Sequence, residues 1–157
     1  MPTTEPIPHA EPTPEEVQYL EDRLDEFNEA ATGIGGGAWL GLFVRDGTGR
    51  IVAGICGASW GGCLEIRQFW VEATRRHQGL GTRLLAEAEA EARRRDCGQI
   101  LLSTFSFQAP EFYARHGFEV LWEVEDFPRG HRNLYLRKRL DGSSHQAPGR
   151  MGAARSS

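Results

Sequence analysis

Arg75-Arg76-His77-Gln78-Gly79-Leu80-Gly81-Thr82-Arg83-Leu84-Leu85 decides the reading of this chain. Before it lies an apolar run rich in strand formers, residues 66–71. After it, Leu80, Leu84 and Ala88 fall on one helical face, with Leu85 and Ala92 beside them. A strand that turns sharply into a helix leaves the first helical N–H groups without intrahelical partners. Those groups and the positive end of the helix dipole favour an anion. Gly79 and Gly81 allow close backbone approach and conformations that a Cβ would penalise. Arg75, Arg76 and Arg83 add attraction for negative charge. The stretch reads as a pyrophosphate cradle supplied mainly by the backbone of residues 78–82. The bland alternative is a tight turn with glycines chosen for packing.

Outward from the cradle, the chain reads as one α/β domain. Thr13 is placed to cap a helix and Pro14 suits its first position. Val17, Leu20, Leu24, Phe27 and Ala31 continue it at helical spacing, and a glycine cluster from Gly33 ends it. Strands are expected over 39–45, 51–60 and 64–71, the first two forming a hairpin. A helix over 80–94 follows, with Gly98 as its stop. Then come a strand over 100–105, a short helix over 110–116 closed by Gly117, and strands over 118–124 and 134–140. The order implies a mixed, mostly antiparallel central sheet flanked by helices. Residues 1–13 read as a loose arm, 14–140 as the single domain and 141–157 as a disordered tail.

Composition narrows the function classes. The 157 residues are 39% hydrophobic and 25% charged, as expected of a globular chain. No apolar run approaches the roughly 20 residues of a membrane helix, and no basic-then-apolar leader is visible, so a cytoplasmic location is expected. The three cysteines, Cys56, Cys63 and Cys97, show no metal-ligand spacing, and no metal is expected. The net charge is −4, yet residues 1–33 hold nine acids and one arginine. The remainder is therefore positive and suits a polyanionic ligand. No basic stripe with interleaved aromatics points to nucleic acid.

Arg76-x-x-Gly79-x-Gly81, between strand and long helix, resembles the acetyl-CoA signature of the GNAT superfamily of N-acetyltransferases. A second run, Ser106 to Phe118, is similar to that superfamily's other signature, a short helix carrying Phe112-Tyr113 before Gly117-Phe118. The resemblance covers about residues 14–140; the superfamily's usual first strand and second helix are not clear. The pair Phe107-Gln108-Ala109-Pro110 and Pro128-Arg129-Gly130-His131 resembles a group of small bacterial members.

The resemblance implies acetyl-CoA as acetyl donor and a primary amine, on a small molecule or peptide, as acceptor. It implies that Arg76, His77, Gln78, Gly79, Leu80, Gly81 and Thr82 bind the pyrophosphate. A backbone N–H within Phe69, Trp70 and Val71 would polarise the thioester carbonyl. The coenzyme arm would lie where this strand and that at 100–105 separate. Ser106 falls where an asparagine often contacts that arm. Tyr113 would protonate the departing thiolate. Glu65 lies where one branch places its glutamate base; on an unbroken strand it would share a face with Arg67, Phe69 and Val71. Glu72, His116 and His131 are further base candidates. The alternative to an enzyme is an inactive acyl-CoA-binding sensor or interaction module. A homodimer is left open.

Overall fold

The computed structural model describes residues 11–140. Residues 1–10 of the loose arm expected over 1–13, and the whole tail expected over 141–157, lie outside the described residues. Two compact units are present, dividing after Gly37. The first holds helix α1, Pro14–Thr32. Its start is a capping box: Thr13 Oγ1 accepts from the Glu16 N–H (3.2 Å), and the Glu16 carboxylate accepts from the Thr13 N–H (2.7 Å). Gly33, at φ 71°, ends the helix by donating to the Glu29 carbonyl.

The second unit is a six-stranded sheet with two helices. Its elements are β1 Ala38–Arg45, β2 Ile51–Trp60, β3 Cys63–Val71, a 3-10 turn Ala73–Arg75, α2 Leu80–Arg94, β4 Gln99–Phe105, α3 Pro110–Arg115, β5 Glu119–Glu125 and β6 Arg132–Arg139. The strand order is β1-β2-β3-β4-β6-β5. Only β3 and β4 are parallel, as a crossover through α2 requires; the other four pairings are antiparallel. This is the mixed, mostly antiparallel α/β sheet that the element order implies.

One sheet face carries the core. Leu84, Leu85, Ala88 and Ala92 of α2 meet Ile55, Leu64, Ile66, Ile100 and Leu102. The spacing of the four α2 residues is the helical stripe that the sequence shows. Leu85 is fully buried, and removing such a side chain costs about 2–5 kcal/mol.

Two local expectations are corrected. Gly98 is not the stop of α2: Arg95 caps the helix and Asp96 takes the left-handed turn at φ 55°, a conformation that Asp tolerates through its short polar side chain. Arg95 is free to leave the helix because its guanidinium has other work. It donates to the Ala38 and Trp39 carbonyls and to Ser59 Oγ, and pairs with Glu91. Second, β3 is not an unbroken strand. Ile66 lies opposite Gly57 and Gln68 opposite Cys56, leaving Arg67 bulged between them. A Cβ on Gly57 would run into the Glu65 carbonyl, so glycine is what permits the two backbones to close up here. The bulge shifts the side-chain phase. Leu64 and Ile66 face the core before it, and Phe69 and Val71 face the core after it. Glu65 therefore points to the opposite face from Phe69 and Val71.

Candidate active site

The cradle forms at the entry to α2. His77 (φ 60°) and Gly79 (φ 76°) are left-handed, and Leu80 begins the right-handed helix. That alternation turns successive N–H groups to one side, as in an anion-binding nest. The first helical bond runs from the Arg83 N–H to the Gly79 carbonyl, at 3.0 Å. Among the described residues, no hydrogen bond takes up the N–H groups of 77 through 82. A row of backbone donors beside Arg76 and Arg83, at a helix start with no side-chain cap, fits a pyrophosphate.

The two glycines do different things. A Cβ at Gly79 would meet nothing within 4 Å; this glycine is needed for its positive φ. A Cβ at Gly81 would lie 3.4 Å from Phe112 and 3.6 Å from Phe69. Gly81 thus abuts the aromatic layer at ordinary contact distance, with room there for a methyl group and little more. Arg76 donates through Nε to the Val71 carbonyl at 3.0 Å, tying the loop to the end of β3.

The sheet opens beside the cradle. Parallel pairing of β3 with β4 runs from Cys63↔Gln99 to Ile66↔Leu102 and stops. Both strands continue, β3 to Val71 and β4 to Phe105. The Glu72 N–H bonds to the Val52 carbonyl at 2.9 Å. Antiparallel alternation then directs the Trp70 amide to β2 and the Phe69 and Val71 amides to the side that β4 has left. On β4, the Ser106 N–H bonds to the Arg132 carbonyl, so the Phe105 peptide groups also face the gap. Gln108 occupies both of them: its Oε1 accepts from the Phe105 N–H (3.0 Å) and its own N–H donates to the Phe105 carbonyl (2.8 Å). Ser106 Oγ accepts from the Arg132 N–H at 3.1 Å, which fastens it to β6.

Tyr113 stands on α3, which packs into the same core cluster as α2. Its ring meets Phe69, Phe112 and Phe118 edge to face, with centroids 6.1, 5.3 and 5.7 Å apart. Such contacts fix the ring. Its hydroxyl has no hydrogen-bond partner among the described residues. Burial pushes the phenol up to about 12, so it is a protonated donor at neutral pH. His116 joins α3 to the cradle: Nδ1 lies 2.7 Å from the Phe112 carbonyl and Nε2 lies 3.1 Å from Thr82 Oγ1. A carbonyl only accepts, so Nδ1 carries the proton.

The carboxylates are otherwise engaged. Glu65 pairs with Arg67 at 3.1 Å and is exposed. Glu72 binds Arg50 (2.6 Å), Arg75 and Thr74. The Arg50 hydrogen bond, opposed in part by desolvation, holds it below the usual carboxylate range. The turn into α2, the parting of β3 from β4 and Tyr113 on a short helix lie where the sequence puts them; Gln108 at the gap and the link through His116 carry no local signal. Gly57 inside a strand was the one available signal for the bulge.

A backbone anion cradle, a parted pair of parallel strands and a buried phenol packed on Phe69 fit an acyltransferase that draws its acyl group from a pyrophosphate-bearing thioester. Residues 5–118 match the Acetyltransferase (GNAT) family. Blasticidin-S acetyltransferase of Streptomyces morookaense is 38% identical over 93 residues, 59% of this chain and 68% of the relative. An acetyltransferase of Agrobacterium fabrum is 29% identical over 126 residues, 80% of this chain and 92% of the relative. The crystal structure of an acetyltransferase from Bacillus cereus matches with TM-score 0.72 and 36% identity, covering 85% of this chain and 98% of that one. The chain belongs to the GNAT acetyltransferase family, and it is an acetyl-CoA-dependent N-acetyltransferase. Among the described residues no helix is long and apolar enough to cross a membrane.

Proposed function

We propose that the chain, acting as one catalytic domain over residues 14–140 in the cytoplasm, moves an acetyl group to a primary amine by direct attack. The observation that carries this reading is the gap between β3 and β4, with the free cradle amides at one end and the Tyr113 ring packed on Phe69 of β3. Residues 77–82 hold the pyrophosphate through their N–H groups. Arg76 holds the loop to Val71 and adds charge. Ser106 borders the arm of the coenzyme, with its hydroxyl proton still available to donate.

Acetyl-CoA supplies an acyl carbon activated as a thioester. The residues then have three tasks. An N–H of Phe69 or Val71 holds the carbonyl oxygen as charge develops there, worth about 3 kcal/mol for one good donor. Tyr113 donates its O–H toward the departing sulfur. A phenol near 12 is a weaker acid than an ordinary thiol near 8.5. Its contribution is therefore a hydrogen bond that spreads charge, with the proton reaching sulfur afterwards. The third task is removal of the amine's proton. An alkyl ammonium with pKa of about 10.4 is mostly charged at neutral pH. Glu65 lacks the shared face that favoured it as base, and Glu72 is tied up by cations. Water in the gap takes the proton in this reading.

The acceptor is a small-molecule amine, supported by the likeness to an enzyme named for blasticidin S. Calorimetry with acetyl-CoA, followed by thiol release over an amine panel that includes blasticidin S, tests the reading. Coenzyme binding followed by thiol release is expected. Binding with no release from any amine would instead make the chain an acyl-CoA-binding module.

A further inference from the structure

The sheet face away from α2 carries an aromatic group at the end of β4. Thr104 is buried on the core side, so Phe105 projects from the other. Phe105 stacks on Phe107, with centroids 5.4 Å apart and planes 11° apart. Phe127 meets Phe105 edge-on at 5.6 Å, and His131 meets Phe107 at 4.9 Å. Phe107 and Phe127 remain 57% and 50% exposed. Across the gap, Trp70 of β3 projects from the same face and is 49% exposed. Aromatic rings thus stand on both sides of the opening through which an acceptor must come, because the cradle helix occupies the other face.

Beside Phe105 lies a polar group that nothing satisfies. Asn133 is the cross-strand partner of Phe105 on one side and of Val124 on the other. The Phe105–Asn133 pair is of the non-hydrogen-bonded kind, in which side chains stand closest. Asn133 is only 4% exposed, and its Oδ1 is buried with no hydrogen-bond partner among the described residues. Such an acceptor is costly unless something donates to it.

Charge argues against a polycationic acceptor. On β5 and its turn into β6, Glu119 pairs with Arg137, Glu123 with Arg132, and Asp126 accepts from the Gly130 N–H. Glu65, on β3, pairs with Arg67. Among the described carboxylates of β3, β5 and that turn, this leaves Glu125, two strands from β4, for a second ammonium.

We propose that the acceptor is a primary amine carried on a planar heteroaromatic body. The ring lies on the Phe105, Phe107 and Phe127 aromatics, and a ring N–H donates to Oδ1 of Asn133. Aromatic faces stack planar rings of many kinds, and a side-chain amide reads the polar edge of a heterocycle. Asn133 is then the residue that tells a ring bearing an N–H from one without it. This inference rests on the N-acetyltransferase reading above.

The test uses thiol release by the full chain with tryptamine, 2-naphthylethylamine and spermidine, and calorimetry with acetyl-CoA as a control. Tryptamine is expected to exceed the naphthyl amine in kcat/KM by about tenfold, the worth of one buried hydrogen bond, and spermidine to be the poorest. Asn133→Leu should erase the difference between the two aromatic amines while acetyl-CoA affinity is kept. Phe127→Ala, on an exposed turn, should lower both aromatic amines toward spermidine, and it keeps the test open if Asn133→Leu does not fold. Spermidine equal to or better than tryptamine in the wild type overturns the proposal. So does an Asn133→Leu protein that folds and keeps the preference. Coenzyme binding without thiol release from any amine would overturn the transferase reading first, and this one with it.

Discussion

The two halves of the β3–β4 pair use the same strands to opposite ends. In the first half, four residue pairs from Cys63↔Gln99 to Ile66↔Leu102 form a parallel ladder. Its core-side residues are aliphatic and buried. In the second half the ladder is gone. The Phe69 and Val71 amides turn toward the gap, Gln108 occupies the Phe105 peptide groups, and the core-side residues become Phe69, Val71 and Thr104. The closed half satisfies its backbone with itself. The open half leaves donors in place for a bound group. Binding capacity arises here from hydrogen bonds that the sheet declines to make, and the Arg67 bulge is where the change begins.

Four experiments break or sharpen that contrast. Tyr113→Phe keeps the aromatic packing against Phe69 and removes the phenol hydroxyl. Turnover is expected to fall roughly ten- to a thousandfold where chemistry limits the rate, with acetyl-CoA affinity nearly unchanged. Wild-type turnover in this variant would make Tyr113 a packing residue only.

Substituting the two cradle glycines should separate conformation from packing. Gly79→Val forces a branched residue to φ 76°, and acetyl-CoA affinity is expected to drop about tenfold or more from a backbone strain of about 1–3 kcal/mol. Gly81→Ala should bind nearly normally, its Cβ making ordinary contact with Phe112. Gly81→Val should lower the melting temperature instead, by crowding Phe112 and Phe69. Calorimetry and thermal melts together distinguish these, and loss of affinity in a fully stable Gly81→Val protein would return that glycine to the ligand.

The third experiment is a stability profile at high pH. The Tyr113 phenol titrates at 10.0 in its unperturbed form and at about 12 here. An unfolded chain releases that proton first, so its contribution to stability is full below pH 10 and is lost as pH rises from 10 toward 12. Tyr113→Phe should flatten that part of the curve, and an identical curve in both proteins would show that the phenol is not buried. The smallest effect is expected from Glu65→Gln. With Glu65 on the far face and paired to Arg67, kcat and its pH dependence should stay within about twofold of wild type, in the range of an exposed pair. Loss of the acid-side limb of the profile would restore Glu65 as the base.

What the sequence made legible was whatever rests on short-range rules. Thr13 and Pro14 announce the start of α1, residues 80–94 announce their apolar stripe, and Gly79 and Gly81 announce the turn into α2. Tyr113 was legible through its signature before Gly117-Phe118. The face of Glu65 was not, because one bulged residue reverses every side chain after it, and the bulge depends on how closely β2 approaches at Gly57. Gln108 was equally silent. Its role depends on β4 parting from β3, a tertiary event with no local code. Asp96 took the place of Gly98 at the α2 stop, beside an Arg95 whose guanidinium binds the β1 backbone and the Ser59 hydroxyl of β2, contacts with no local signal.

The strand order has a consequence for how the chain reaches this state. β1, β2 and β3 form an antiparallel meander of sequence neighbours, whereas β4, β6 and β5 form a second antiparallel group in which only β5 and β6 are neighbours in sequence. Among the described residues the four-pair parallel ladder is the only strand pairing between the two groups, and it joins segments separated by the whole of α2. Contacts between neighbours form early, and those that close a long loop form late. The β1–β3 meander and the β5–β6 hairpin are therefore expected to assemble first, with β4 joining β6 later and the two groups docking along a short seam with α2 laid across it. The catalytic gap is the stretch of that seam which docking never closes.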